Sequence, residues 1–252
     1  MNAEPSPTPP PAALGRARSD RARQVADVLR GQVLAGDLTG VLPPERMLIA
    51  EFGVTRNTIR EALDLLRADG LVTRRPGIGT VVCGVKYPHG LHRLAGLAEV
   101  LREHGTVTNE VRAAGPITAP AQVAAQLRLD RGAEVTYVER LRRLGGEPLS
   151  LDLTYLPADV GAPLLERDLA GNDIFALLEE IHGQRLGVAE VGMEAVNADP
   201  DSATVLEVPR GAALLRWERL THFASGRPID LEYIRFRGDR LTLRARLDRL
   251  PA

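Results

Sequence analysis

The chain has 252 residues, enough for two domains of ordinary size, with 44% apolar residues, 26% charged residues and a formal net charge of -1. That balance belongs to a globular protein and excludes a wholly disordered, collagen-like or membrane-embedded chain. The single cysteine, Cys83, excludes an internal disulfide, and no run of about 18 apolar residues offers a membrane span. Residues 1–13 (MNAEPSPTPPPAA) are proline-rich and lack both a basic leader and an apolar core, so they read as a disordered tail, and a cytoplasmic location is expected. From Ser19 to about Leu34, Ala22, Val25, Ala26, Leu29 and Val33 follow helical spacing, and Gly36 is placed to end that helix. Leu42-Pro43-Pro44-Glu45 opens a second helix to about Phe52, with an acid suited to the helix dipole in its first turn. Thr55 can cap a third helix. Its stripe of Ile59, Ala62, Leu63 and Leu66 faces a core, and Arg56, Asn57, Arg60, Asp64 and Arg67 line the other side. Two short strands, 71–75 and 80–82, flank the turn Pro76-Gly77-Ile78-Gly79. Residues 14–83 therefore read as three helices and a β-hairpin wing.

Residues 84–94 show no sustained period and read as a linker, which places His89 and His92 outside either domain. The second domain, 95–252, alternates helical patterns near 94–104, 120–127, 173–182 and 200–207 with strand-like runs near 107–113, 133–144, 149–156, 187–197, 212–223 and 229–236. This is an α+β arrangement with mainly antiparallel pairing. Within it Gly132-Ala133-Glu134-Val135, Glu139-Arg140-Leu141 and Gly146-Glu147-Pro148-Leu149 return as Gly211-Ala212-Ala213-Leu214, Glu218-Arg219-Leu220 and Gly226-Arg227-Pro228-Ile229. The offset is 79 residues, becoming 80 in the hairpin turn, and each copy follows a similar helix. A helix-strand-strand unit occurs twice, so the domain carries an internal pseudo-two-fold repeat.

The third helix presents Thr55, Arg56, Asn57, Thr58 and Arg60 at its start. Arginine suits guanine, asparagine suits adenine, and threonine suits a phosphate or a thymine methyl, as expected of a recognition helix in a major groove. The bland alternative is a solvated helix face. Against it stand Arg46 at the start of the preceding helix, the short Gly53-Val54-Thr55 turn and the glycine-tipped wing. Residues 24–82, with Leu42-Pro43-Pro44-Glu45-Arg46, Gly53-Val54-Thr55-Arg56-Asn57-Thr58-Ile59-Arg60-Glu61-Ala62-Leu63 and Gly77-Ile78-Gly79-Thr80, resemble the winged helix-turn-helix of the GntR family of bacterial transcription regulators. The resemblance implies that Arg46, Arg56, Thr58 and Arg60 contact double-stranded operator DNA, with Thr55, Asn57 and the wing backbone at Gly77 assisting. Pro44 and Ile78 depart from that family, which commonly has a serine and a basic residue at these places.

In the second domain, strand alternation puts Thr136, Val138, Arg140 and Arg142 on one face. An odd-length loop at Gly145-Gly146-Glu147 would set Arg140 opposite Asp152, with Ser150 and Thr154 on the same face. Such a pair can simply hold the sheet together, and arginine clusters also hold carboxylates or phosphates. Residues 94–247 resemble the UTRA effector domain of the HutC subfamily, whose fold is similar to chorismate lyase. The carrying motifs include Val138-Glu139-Arg140-Leu141-Arg142, Gly146-Glu147-Pro148-Leu149, Tyr155-Leu156-Pro157 and Gly226-Arg227-Pro228-Ile229-Asp230. The resemblance implies a small-molecule effector site made by Arg140, Arg142, Asp152 and Asp230, a carboxylate-bearing effector being one that the arginines suit. Phosphosugar-sensing relatives place a small hydroxyl residue where this chain has Asp173, so a phosphate is disfavoured; the blander alternative is that Asp173 is only a helix cap.

No nucleophile elbow, phosphate-cradling loop or dinucleotide fingerprint is present, and the five histidines are scattered, so neither catalysis nor a metal or cofactor is expected. The rival reading is a chorismate-lyase-like enzyme domain fused to a DNA reader; fold alone does not decide between them. The sequence is thus read as an effector-responsive transcription repressor acting as a homodimer on a pseudo-palindromic operator.

Overall fold

The computed structural model describes residues 11–83, 86–91, 93–101 and 104–247, with side chains from Asp20 onward. Two compact units divide the chain, one ending at Lys86 and the other beginning at Tyr87. In the first, α1 (Pro11–Ala35) begins well before Ser19. Proline is compatible with a first helical turn and the alanines behind it propagate one, so residues 11–13, expected in the tail, are helical. The rest of that tail, residues 1–10, lies outside the described residues. Helix α2 (Glu45–Phe52) ends at Gly53, which adopts a left-handed conformation, and α3 (Arg56–Ala68) follows at once. Val25, Leu29, Val33, Leu48, Ile59 and Leu66 pack with their neighbours into one core. Strands β1 (Val72–Arg75) and β2 (Gly79–Val82) pair antiparallel as the wing, and a bridge from Val41 to Val81 ties that wing to the segment before α2.

The second unit opens on β3 (Tyr87–Gly90), where the sequence suggested only linker. This strand pairs in parallel with β10 (Leu241–Arg244) at the far end of the unit. Four residues including Pro88 cannot show a period, and a partner so distant in sequence leaves no turn signal. Of the expected linker, residues 84, 85 and 92 lie outside the described residues. Between the two strands come α4 (Leu97–Leu101), β4 (Val107–Thr118), α5 (Ala121–Gln126), β5 (Glu134–Leu144), β6 (Glu147–Pro157), α6 (Ala158–Gly161) and a 3-10 turn over 162–166. Then follow α7 (Ile174–His182), β7 (Leu186–Asn197), α8 (Pro200–Val205), β8 (Ala213–Phe223) and β9 (Pro228–Arg237). Six strands form one antiparallel sheet in the order β4-β5-β6-β9-β8-β7.

The repeat is larger than the sequence motifs showed. The set α4-β4-α5-β5-β6 is followed by α7-β7-α8-β8-β9, and β4, α5 and β5 map onto β7, α8 and β8 with the same 79-residue offset at both ends. Helices α4 and α7 cover one face of the sheet, packing against Trp217, Ile234 and Phe236 and against Val138 and Leu156 respectively. Helices α5 and α8 cover the other. Even the backbone exceptions correspond: Arg128 after α5 and Glu207 after α8 both have φ near +55° (56° and 54°).

The hairpins set the register. Arg140 stands opposite Asp152, as the sequence implied, although the turn itself holds only Gly145 and Gly146, with φ of +60° and +85°. The odd residue is Leu149, bulged after Pro148. Proline has no N–H with which to continue the ladder, and Ile229 is bulged after Pro228 in the second copy for the same reason. A left-handed backbone at exposed Arg128 is strained for a residue with a Cβ. Arg128→Gly is therefore expected to stabilise the protein by about 0.5–1 kcal/mol, read as a higher midpoint in urea unfolding.

Candidate DNA-reading surface and effector site

In the first unit, Thr55 caps α3 by accepting a hydrogen bond from the Thr58 N–H at 3.3 Å. Arg56 and Asn57, exposed, occupy the first turn, and Arg60 stands one turn on. Arg46, also exposed, comes from the first turn of α2, and Gly77 sits exposed in the wing turn. Thr58 departs from expectation. It shares the inward face with Ala62 and Leu66 by i+4 spacing, is 4% exposed, and its hydroxyl lies 2.9 Å from that of Thr55. It holds the cap and is not part of the exposed set. Glu45, which the sequence assigned only to the helix dipole, accepts from Arg56 Nε at 3.2 Å and from Arg60 Nε at 3.3 Å. Arg74 and Arg75, exposed on the wing, were not singled out from the sequence either.

In the second unit, the face under α4 and α7 buries Arg140, Arg142, Asp152, Arg219, Asp230 and Glu232. Arg142 donates through Nε and Nη2 to Asp152 Oδ2 at 3.0 and 2.6 Å, and Ser150 Oγ donates to Asp152 Oδ1 at 2.6 Å. Arg140 does not bond Asp152; its Nη1 donates to the carbonyls of Leu169 and Asn172, both at 3.2 Å. Burial opposes ionisation of Asp152, but Arg142 and Arg140 outweigh it and hold the carboxyl below its usual range. Arg219 and Glu232 pair across β8 and β9, with Nε 2.7 Å from Oε2, and Phe175 of α7 lies 4.5 Å over the Arg219 guanidinium. The sequence reading passed over this pair, yet the repeat points to it: Arg219 corresponds to Arg140 and Glu232 to Asp152.

The copies differ where Arg142 and Ser150 of the first give way to Thr221 and Asp230 of the second, again as opposed partners. Asp230 is fully buried and neither of its oxygens has a hydrogen-bond partner among the described residues. Burial, and next the neighbouring Glu232, push its carboxyl well above the usual range, against the pull of Arg219 and Arg140. Arg140 Nε, Arg142 Nη1 and Thr221 Oγ1 are likewise without partners among the described residues. Buried polar atoms left in one place in this way mark a site for polar groups from outside the chain, or for water.

Beside this cluster lies a cavity of about 1240 Å³ lined by Gly96, Glu99, Thr106, Asn172, Asp173 and Phe175 among others. Its wall touches the charged layer. Asn172 accepts from Arg140, and Asp173 Oδ2 stands 3.8 Å from Arg142 Nη1 while Asp173 Oδ1 caps α7 at the Phe175 N–H. Asp173 thus caps α7 with one oxygen and faces Arg142 with the other. The four effector residues read from the sequence do come together, beneath this wall. His89 packs edge-on to Trp217 at 4.9 Å, whereas His92 lies outside the described residues. Among the described residues no cluster of acids, histidines or cysteine could hold a metal, and no helix is long and apolar enough to cross a membrane.

Comparison with known proteins agrees with both halves. Residues 21–82 match the model of the bacterial regulatory proteins of the gntR family, and residues 102–242 match the UTRA domain. The chain is 31% identical over 252 residues to the HTH-type transcriptional regulator Rv0792c of Mycobacterium tuberculosis, covering 94% of this chain and 89% of that protein. It is 26% identical to the HTH-type transcriptional repressor NagR of Bacillus subtilis, covering 90% and 94%. The crystal structure of PhnF from Mycobacterium smegmatis superposes with a TM-score of 0.65 at 27% identity, over 89% of this chain and 99% of that one. The chain belongs to the gntR family: it is a DNA-binding transcription regulator with a UTRA effector-binding domain.

The Asp230 carboxyl gives the site a pH signature. The folded state keeps the Asp230 proton above the pH near 4 at which an unfolded aspartate loses it, so this group's contribution to stability falls as pH rises from about 4 through its raised value. Asp230→Asn has no such proton. Relative to the variant, the wild type is expected to lose urea stability progressively over that range and then level off; parallel midpoints at all pH values would contradict the assignment.

Proposed function

We propose that this chain is a repressor of the HutC subfamily, a cytoplasmic homodimer whose grip on a pseudo-palindromic operator changes when a small effector enters the second unit. The observation that carries the reading is the joining, in one chain, of an exposed arginine edge at the start of α3 to a buried charge layer with unpartnered polar atoms beside a cavity. Arg46, Arg56, Asn57 and Arg60 are the side chains for phosphate and base edges, with Thr55 and the Gly77 backbone assisting, and Thr58 acts through Thr55. Paired half-sites on DNA call for a two-fold protein, hence the homodimer.

Arg140, Arg142, Asp152 and Asp230 form the effector site, on a fold of the chorismate-lyase type used for binding and not for catalysis. Arg142 is already answered by Asp152, whereas Arg140 is held only by backbone carbonyls among the described residues. Arg140 is therefore the group to receive a carboxylate-bearing effector. Asp173 sets a carboxylate against Arg142, where the greater charge of a phosphate would meet repulsion. The effector acts by favouring one arrangement of the dimer's paired DNA-reading units, which requires that it bind that arrangement with a different affinity from the others.

Fluorescence anisotropy on the duplex upstream of the chain's own gene, with excess nonspecific competitor, tests the DNA half. Where that duplex lacks the operator, selection from random DNA supplies it. Arg56→Ala or Arg60→Ala is expected to weaken operator binding by about 1–3 kcal/mol with the melting temperature unchanged; wild-type affinity in both would remove them from the surface. Arg140→Met is expected to leave operator binding intact and abolish release by carboxylate metabolites screened in the same assay. A full response in that variant would move the pocket elsewhere.

A further inference from the structure

We infer that Glu45 determines the sequence discrimination of the DNA-reading surface, holding Arg56 and Arg60 toward base edges and repelling phosphates outside the operator. The inference rests on the DNA-reading role proposed above. One carboxylate oxygen, Glu45 Oε2, accepts from the Nε of both arginines, at 3.2 and 3.3 Å. Both bonds use the Nε side of the guanidinium, so Nη1 and Nη2 stay outside this pair of contacts. The Glu45 side chain is 30% exposed against 67% and 50% for Arg56 and Arg60, so the carboxylate is the less accessible member of each pair. A guanidinium held in a fixed plane can read a guanine edge through two donors, whereas one swinging freely on its stem serves any phosphate by charge alone.

The charge of Glu45 matters as much as its reach. Arg46, Arg56 and Arg60 place three positive charges at this edge, and Glu45 offsets one of them. Affinity for random duplex comes from phosphate neutralisation and counterion release, so it falls with each positive charge already answered within the protein. Bidentate base contacts depend on geometry and persist. Partial burial works against the ionised form of Glu45, but Arg56 and Arg60 prevail and hold its carboxyl below the usual range, so the pairing stands at neutral pH. Glu45 is thus a positioning residue: it acts on bases through two arginines and on phosphates through its own charge.

The test uses the full-length protein as wild type, Glu45→Gln and Glu45→Asp. Each is taken through selection from a random duplex library, then anisotropy on the enriched duplex and on a scrambled one across a salt series. Glu45→Gln is expected to tighten scrambled binding severalfold at low salt, to steepen its salt dependence by about one counterion, and to lower the operator-to-scrambled affinity ratio about tenfold. Glu45→Asp keeps the charge but is one methylene too short to reach both arginines. It is expected to keep weak scrambled binding while broadening base preference. A Glu45→Gln protein that matches the wild type in ratio, salt slope and base preference overturns the inference. So does one that weakens both duplexes alike with an unchanged melt, since that is the behaviour of a lost scaffold contact. If Glu45→Gln melts early, the base preference of Glu45→Asp decides. If the wild type enriches no sequence at all, the DNA-reading role itself fails, and this inference with it.

Discussion

Charge buried in the middle of a sheet is the constraint from which the second unit takes its form. Guanidiniums and carboxylates removed from water are costly unless each meets a partner in good geometry, so a layer holding Arg140, Arg142, Asp152, Arg219, Asp230 and Glu232 tolerates little error in register. Slipping β6 by one residue against β5 would turn Asp152 to the opposite face and leave Arg142 buried without its carboxylate. The bulges at Leu149 and Ile229 fix that register from the hairpin end, and both bulged side chains remain in the core. Paired ions of this kind are weak sources of stability, although removing one partner of a buried pair is strongly destabilising.

The duplicated architecture separates what the fold needs from what the site needs. Arg140 and Arg219, Asp152 and Glu232, and the left-handed residues Arg128 and Glu207 persist in both copies. The copies part where Arg142 and Ser150 face Thr221 and Asp230. At this one pair of positions the first copy bonds its polar side chains to a carboxylate of the chain, Asp152, and the second leaves Thr221 Oγ1 and both Asp230 oxygens without a hydrogen-bond partner among the described residues.

Much of this was legible in the sequence because it is local. The cap at Thr55, the stripe from Ile59 to Leu66 and the alternation from Thr136 to Arg142 are read within a dozen residues, and the Arg140–Asp152 register followed from a short loop, although the odd residue lay in the bulge. What failed was non-local or finer than the period. β3 meets β10 across nearly the whole second unit, so no neighbouring turn announces it. Thr58, which the resemblance set with Arg56 and Arg60, is placed by helical spacing with Ala62 and Leu66 and is buried. Glu45 pairs across two helices, a contact no spacing within α2 reveals. Arg219 and Glu232 were within reach, since superimposing the repeat on itself places them on Arg140 and Asp152.

The two outermost strands carry a last consequence. β4 and β7 are each twelve residues long, and among the described residues each pairs on one side only, which leaves a row of backbone donors and acceptors at each border outside the ladder. Such borders can recruit further strands and seed aggregation. Each is interrupted by an irregularity in its ladder, between Val111 and Ala113 in β4 and between Leu186 and Ala189 in β7. Pro116 removes a donor from the first border, and Glu190 places an exposed charge on the second. Irregular ladders, a missing donor and exposed charge each work against the addition of a further strand at these two borders.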